Sequence, residues 1–262
     1  MLIKIFQKQL YTSDFLSLSQ IYFVVIMSKN MIIASTSSLF GGDYLDYLVP
    51  ELKIHFENSK TILFIPFARP GGISHQDYTE KVSVAFAKIG IGVKGIHEFE
   101  DYSTAIKAAE GIFTGGGNTF LLVSQLYKNN VMNDVAEAVK SGTPYLGTSA
   151  GSNICGLTMQ TTNDMPIIYP PSFKTLGLIP FNLNPHYLDA DLESTHMGET
   201  RETRIKEFHS FNTVPVLGLR EGSWLDVKGD KIILKGKLAA RLFRQNQPPE
   251  EINGGADLSL LK

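Results

Sequence analysis

Residues 111–153 read GIFTGGGNTFLLVSQLYKNNVMNDVAEAVKSGTPYLGTSAGSN, and their rhythm decides the fold. Gly111–Thr114 is a short apolar strand, broken by three glycines and Asn118, and Phe120–Tyr127 reads as a helix. Val131, Val135 and Val139 recur on one helical face that stops at Gly142, and Pro144–Gly147 is a further strand. Strands that alternate with helices in this way predict a parallel sheet with right-handed crossovers. Upstream the pattern repeats. Met31–Ser35 and Thr61–Phe67 are continuous apolar runs suited to burial on both faces of such a sheet, and Val93–His97 is another strand. Between them Leu45, Leu48, Val49, Leu52 and Phe56 follow helical spacing, with an irregularity expected at Pro50. Tyr78, Val82, Phe86 and Ile89 form a second stripe, ended by Gly90. Downstream, Thr213–Leu219 reads as a strand, and Trp224–Val227 with Lys231–Leu234, turning at Gly229-Asp230, as a C-terminal antiparallel hairpin. The expectation is an α/β fold whose parallel sheet carries helices on both faces, with residues 27–262 forming one domain.

Composition bounds what such a fold does. The chain has 262 residues, 43% hydrophobic and 19% charged, with a mean hydropathy of zero, as in an ordinary globular protein. Lys and Arg number 24 against 26 Asp and Glu, so no basic excess points to nucleic acid or an anionic membrane. Cys155 is the one cysteine, which excludes an intrachain disulfide and fits a reducing, cytoplasmic setting. Residues 1–26 match neither strand nor helix periodicity and are expected to be a poorly ordered extension. Their apolar run, Ile21–Met27, lies far from Lys4 and Lys8 and leads into Ser28-Lys29-Asn30, not a small-residue cleavage site. It is also shorter than the ~20 residues of a membrane span.

Ligands of open α/β sheets bind beyond the carboxyl ends of the strands, and two motifs fall there. Gly147-Thr148-Ser149-Ala150-Gly151 fits G-x-S-x-G between a strand and the helix expected over Ala150–Leu157. In that setting a strained turn lifts a serine hydroxyl clear of the sheet, and the N–H of Ala150 is free to stabilise an oxyanion. The alternative is a tight turn with a capping serine. Thr114–Thr119 (TGGGNT) lets backbone approach a ligand, but it lacks both the G-K-[ST] tail and the G-x-G-x-x-G pattern of nucleotide sites. Beside the elbow, its N–H groups complete an oxyanion site; otherwise it starts a helix with Asn118 as cap.

A serine nucleophile needs a base, and the base an orienting acid. Of His55, His75, His97, His186, His196 and His209, the first and last lie on amphipathic helices, His97 ends a strand and His75 precedes a helix. His186, in a loop-like NLNPH, is the candidate base; Asp164 and Glu221 are the loop carboxylates. Residues 186–196 (HYLDADLESTH) superficially resemble a metal site but lack H-E-x-x-H spacing, so no metal or other cofactor is expected. Arg201 and Arg204, among Glu199, Glu202 and Lys206, read in isolation as an ion-paired helix surface.

Taken together, GGGNTF at 115–120, GTSAGSN at 147–153, TTNDMPI at 161–167, NPH at 184–186 and GETR at 198–201 resemble peptidase E, the α-aspartyl dipeptidases of serine peptidase family S51. The resemblance runs in the same order from Met31 to the C-terminus. It implies a fold similar to class I glutamine amidotransferases, and hydrolysis of dipeptides with an N-terminal aspartate. Ser149 is then the nucleophile, His186 the base, and either Asp164 or Glu221 the third member, with Asp164 preferred. Ala150, Gly116 and Gly117 supply the oxyanion N–H groups. Arg201 holds the aspartyl carboxylate, and Glu199, Asp164 or Glu221 the substrate's amino group. A cysteine amidotransferase is disfavoured because the elbow carries serine. A cyanophycinase-like peptidase for β-linked aspartyl chains, and an inactive binding module, are the alternatives. The expected partner is a small peptide, with neither nucleic acid nor membrane; the sequence leaves the oligomeric state open.

Overall fold

Asn30–Ala34 (β1), Thr61–Ile65 (β2), Gly92–Gly95 (β3), Ile112–Thr114 (β4) and Tyr145–Thr148 (β5) are the five strands expected from the sequence. In the computed structural model they lie parallel, in the order β3-β2-β4-β5-β1. The structure describes residues 28–261 apart from Leu192, Ser194 and His196, so the extension expected over residues 1–26 lies outside the described residues.

The strands alternate their side chains between two apolar layers. Met31 and Ile33 of β1, Leu63 and Ile65 of β2 and Ile112 of β4 face one layer. It is closed by Tyr102–Lys107 (α3), Thr119–Lys128 (α4) and Met132–Lys140 (α5) through Ile106, Leu122, Leu126, Val135 and Val139. Ile32, Ile62, Phe64, Phe113 and Leu146 face the other, against Leu52 of Val49–His55 (α1) and Tyr78, Val82 and Phe86 of His75–Ala87 (α2). Each such side chain, fully withdrawn from water, contributes about 1.5–3 kcal/mol. The helices therefore cover both faces, as the near-continuous apolar strands require.

Local chemistry sets the boundaries. Pro50 lies in the first turn of α1, where a missing N–H costs nothing, and so starts that helix without kinking it. Ser74 and Asp77 form a reciprocal capping box on α2. β3 stops at Gly95, earlier than the expected His97, because the Glu98 carboxylate accepts the Gly95 N–H at 2.6 Å and turns Ile96–Glu98 into a 3₁₀ helix.

The later half holds what the periodicity did not reveal. Asn182–Pro185 (β6) is a strand, where the sequence suggested a loop. It lies parallel to Val216–Leu219 (β7). Ser223–Lys228 (β8) and Lys231–Gly236 (β9) are the expected hairpin, turned by Gly229 at a φ of 61°. The hairpin is part of the main sheet, because β8 pairs antiparallel with β1. Ala240–Phe243 (β10) and Glu250–Ile252 (β11) complete a second sheet in the order β11-β10-β7-β6. Asn182 and Asn184 hid β6 from a hydropathy reading; both are buried, the Asn182 amide bonding Thr158 through both its atoms and the Asn184 Nδ2 donating to the Thr161 carbonyl and to Asn163.

Candidate active site

The carboxyl ends of β1, β4 and β5 from one sheet and β6 and β7 from the other converge on one place. Beyond β5 the chain turns at Ser149, whose φ of 54° and ψ of −112° lie where L-residues are strained. Its N–H donates to the Ala34 carbonyl of β1 at 3.2 Å, so strand pairing is carried into the turn itself. The short helix Ala150–Asn153 (α6) follows, four residues in place of the expected run to Leu157. It tightens into i→i+3 bonds at Cys155 and Gly156. The flanking glycines are steric requirements. A Cβ on Gly147 would lie 2.5 Å from the Gly151 carbonyl oxygen, and one on Gly151 would lie 2.1 Å from that of Thr114. Gly151→Ala is therefore expected to destabilise the protein by about 3 kcal/mol, read as a lower urea midpoint, because backbone must move to admit the methyl. An unchanged midpoint would show that the elbow is looser than this packing implies.

His186 stands just past β6, also at a φ of 54°. Ser35, fully buried beyond β1, holds it there: Ser35 Oγ accepts the His186 N–H at 2.8 Å and donates to the Leu219 carbonyl at 2.6 Å. The Tyr187 N–H donates to the same carbonyl at 3.1 Å. The imidazole Nε2 lies 2.9 Å from Ser149 Oγ, and Nδ1 lies 2.7 Å from Glu221 Oε1. A carboxylate only accepts, so Nδ1 carries the proton and Nε2 is left to receive the one on Oγ.

The preference for Asp164 as the imidazole's partner is not met by this geometry. Asp164 Oδ2 accepts the Thr119 N–H at 2.7 Å, the Thr119 hydroxyl at 2.6 Å and the Thr162 hydroxyl at 3.1 Å. The carboxylate thus sits on the exposed N–H groups at the start of α4, where negative charge is favoured. It still lines the small cleft that holds Ser149 and His186, together with Thr119, Thr162 and Asn153. Asn163 ties the same loop to the histidine, its Nδ2 donating to the Pro185 carbonyl at 2.7 Å.

The glycine loop packs directly on Ser149: a Cβ on Gly116 would lie 2.9 Å from the Cβ of that serine. Among the described residues the N–H groups of Gly116, Gly117 and Ala150 donate to no protein acceptor. Asn118 caps α4, its Oδ1 accepting from Leu121 N–H at 3.1 Å, as the helix-start reading of that loop expected.

Arg201 opens the helix Arg201–His209 (α7), capped by Thr200. Arg204 lies 3.7 Å from Glu199, and Glu202 pairs with Lys206 and Arg241. Arg201 itself makes no ion pair among the described residues. It is half-buried, and burial, aided by the nearby Arg204, lowers its affinity for the proton while the charge of Asp164 raises it. Arg201 therefore lies within electrostatic reach of the cleft's carboxylate and stays charged, as guanidinium groups do.

The other candidates are occupied elsewhere. Cys155 is fully buried, its thiol pushed well up by burial, which leaves no accessible thiolate of the amidotransferase kind. Burial pulls His55 down to about 3, a neutral ring bonded to the Tyr145 carbonyl. His75 and His97 pack on each other, and His209 Nδ1 lies 3.1 Å from the Asn212 carbonyl. In the stretch 186–196, Asp189 pairs with Arg220, and His196 lies outside the described residues. No helix among the described residues is long and apolar enough to cross a membrane.

Sequence reading missed Ser35, Thr119 and Asn163 as site residues. Thr119 and Asn163 lie inside motifs already quoted, and the signal for Ser35 was its place at a strand's carboxyl end.

The family model described as Peptidase family S51 matches residues 31–235. Peptidase E of Streptomyces coelicolor is 47% identical over 232 residues, covering 88% of this chain and 94% of that protein. A probable alpha-aspartyl dipeptidase of Drosophila melanogaster is 44% identical over 237 residues, 89% of this chain and 98% of that one. Among solved structures, a peptidase from an acI-B1 Actinobacterium superposes with a TM-score of 0.67 at 16% identity, over 88% of this chain and 96% of its own. A putative peptidase E from Listeria monocytogenes EGD-e gives 0.60 at 23% identity, over 80% and 98%. These two structures share the fold.

Proposed function

This chain belongs to peptidase family S51, and on that premise we propose that it cleaves dipeptides with an N-terminal aspartate through an aspartyl ester of Ser149. It is a serine-type peptidase. The observation that carries the mechanism is the unbroken line from Glu221 through His186 to Ser149, at 2.7 Å and 2.9 Å. Ser149 Oγ attacks the peptide carbonyl carbon as His186 Nε2 takes its proton. The carbonyl oxygen becomes an oxyanion and receives the free N–H groups of Gly116, Gly117 and Ala150. The protonated imidazole, held by Glu221, passes its proton to the leaving amine as the C–N bond breaks. Water, deprotonated by the same nitrogen, then attacks the ester, and the proton returns to Ser149 as aspartate leaves.

Two complementary charges support the substrate class. Arg201 lacks an ion-pair partner among the described residues and suits a side-chain carboxylate, which a guanidinium grips through both oxygens. Asp164 spends Oδ2 on α4 and keeps Oδ1 for the α-ammonium group. Glu221 is engaged by His186 and Glu199 faces Arg204, which leaves Asp164 the best of the three carboxylates for that task. The working unit is one domain from residue 27 onward. Near-neutral charge and a lone cysteine support a cytoplasmic enzyme whose partner is the peptide itself.

The reading is tested with α-Asp-Leu, Asn-Leu and β-Asp-Arg assayed side by side on the wild type and on Arg201→Ala. Wild type turns over α-Asp-Leu. Arg201→Ala lowers kcat/KM for it ~100-fold, the scale of two charge-assisted hydrogen bonds, and changes Asn-Leu less than threefold. Hydrolysis of β-Asp-Arg with α-Asp-Leu untouched, or an equal loss on both α-linked peptides, contradicts it.

A further inference from the structure

We propose that Tyr78 is a positioning residue for the oxyanion site: its buried hydroxyl fixes the plane of the Gly116–Gly117 peptide so that the Gly117 N–H faces the reacting carbonyl beside Ser149. The inference rests on the serine mechanism above and adds to it a residue remote from the nucleophile in both sequence and element.

Tyr78 belongs to α2, on the opposite side of the glycine loop from Ser149, and is 1% exposed. Its ring is wedged edge-on against Phe64 at 4.9 Å, with the Arg69 guanidinium 5.1 Å over its face, so the hydroxyl has little freedom. That hydroxyl donates to the Gly116 carbonyl at 3.2 Å, and Tyr44 Oη lies 3.4 Å behind it. Gly115 makes room for the bond, since a Cβ there would lie 2.6 Å from Tyr78 Oη. The next residue turns to the other side, where a Cβ on Gly116 would meet Ser149. The loop is fixed again two residues on, by the Asn118 N–H donating to the Ala68 carbonyl at 2.7 Å.

A trans peptide is planar, with its C=O and N–H pointing in opposite directions. Holding the Gly116 carbonyl toward Tyr78 therefore aims the Gly117 N–H away from Tyr78, toward the nucleophile's side of the loop. The peptide lies between two glycines, and Gly117 has a φ of 146°, so no Cβ resists its rotation. The Tyr78 bond is what opposes a flip that would present a carbonyl oxygen, instead of a donor, to the developing oxyanion. Such a flip would repel the transition state while leaving the pocket for the aspartyl group intact.

The test is Tyr78→Phe, which keeps the ring and removes the bond, measured with α-Asp-Leu, with the aminoboronic acid analogue of aspartate, and with free L-aspartate. The boronate becomes tetrahedral on Ser149 and demands the oxyanion donors; aspartate does not. Expected are a fall in kcat of ~10- to 100-fold, within the range for losing one oxyanion donor or less, a KM within threefold, a parallel loss of boronate affinity, and unchanged inhibition by aspartate. Tyr44→Phe, which spares the Gly116 bond, stays within threefold of wild type throughout. Equal boronate and aspartate affinities before and after Tyr78→Phe overturn the proposal, as does a loss shared by both ligands or matched by Tyr44→Phe. A readout on the wild type stands even if the variant does not fold: boronate binding slows hydrogen exchange at the Gly117 amide, and an unprotected Gly117 amide in the complex overturns the proposal. Wild type that binds aspartate but never the boronate would instead remove the serine mechanism itself.

Discussion

Ser149→Ala removes turnover of α-Asp-Leu by at least ~10⁴-fold while the protein keeps its fold. The size follows from chemistry: with no hydroxyl there is no acyl-enzyme, and what remains is the catalysis that bound donors give to attack by water. Preservation of the fold follows from the contacts. Ser149 Oγ bonds to His186 alone among the described residues, while the turn is held by main-chain and neighbouring groups. These are the Ser149 N–H on the Ala34 carbonyl and Ser152 Oγ, 2.6 Å from the Ala34 carbonyl and 2.7 Å from that of Gly147. Alanine inherits the positive φ without worsening it. A thermal midpoint within a few degrees of wild type, together with lost hydrolysis, is the expected pair of results. Retained hydrolysis would mean that another group attacks the peptide.

Glu221→Gln is the second large effect, a fall in kcat of ~10³–10⁴-fold. Glutamine keeps the shape but can present its NH₂ to Nδ1. The imidazole then prefers the tautomer whose proton sits on Nε2, where it can no longer take one from Ser149. The imidazolium formed in the transition state also loses its counter-charge. Asp164→Asn is the contrasting arm. Its carboxylate touches Thr119 and Thr162 and not the imidazole, so its loss falls mainly on KM, through the substrate's ammonium group and the seat of α4. Kinetics on α-Asp-Leu separate the two. If Asp164→Asn takes kcat down a thousandfold and Glu221→Gln leaves it intact, the acid has been assigned to the wrong residue.

The reason this assignment was not legible in the sequence is itself structural. Met31–Ser35, Thr61–Phe67 and Pro144–Gly147 announced their strands because burial on both faces demands unbroken apolar runs, and G-x-S-x-G announced the elbow because its glycines answer local clashes. The partner of His186 depends instead on a long-range pairing. β6 and β7 run parallel with Pro185 opposite Leu219, so residues just past each, His186 and Glu221, emerge at the same end of the second sheet. That register was invisible while Asn182-Leu183-Asn184-Pro185 read as a loop. Its asparagine side chains hydrogen-bond the Thr158–Asn163 segment, Asn182 through both amide atoms and Asn184 through Nδ2, which no periodicity records. Asp164 carried the stronger local motif, but that motif serves the cleft's other wall. Arg201 illustrates the converse: its neighbours made it look like any ion-paired surface arginine, and the distinction is that Arg204, Glu202 and Lys206 pair among themselves and with Glu199 and Arg241.

The most direct test of the central claim is to catch the ester on its oxygen. Wild type mixed with the α-p-nitrophenyl ester of aspartate, whose good leaving group makes acylation fast, should release a burst of p-nitrophenol and accumulate the intermediate. Acid quenching, proteolysis and mass spectrometry should then find an aspartyl group on the peptide that carries Ser149, and none in Ser149→Ala. An enzyme that turns the ester over while its aspartyl label rests on a different side chain would contradict the account.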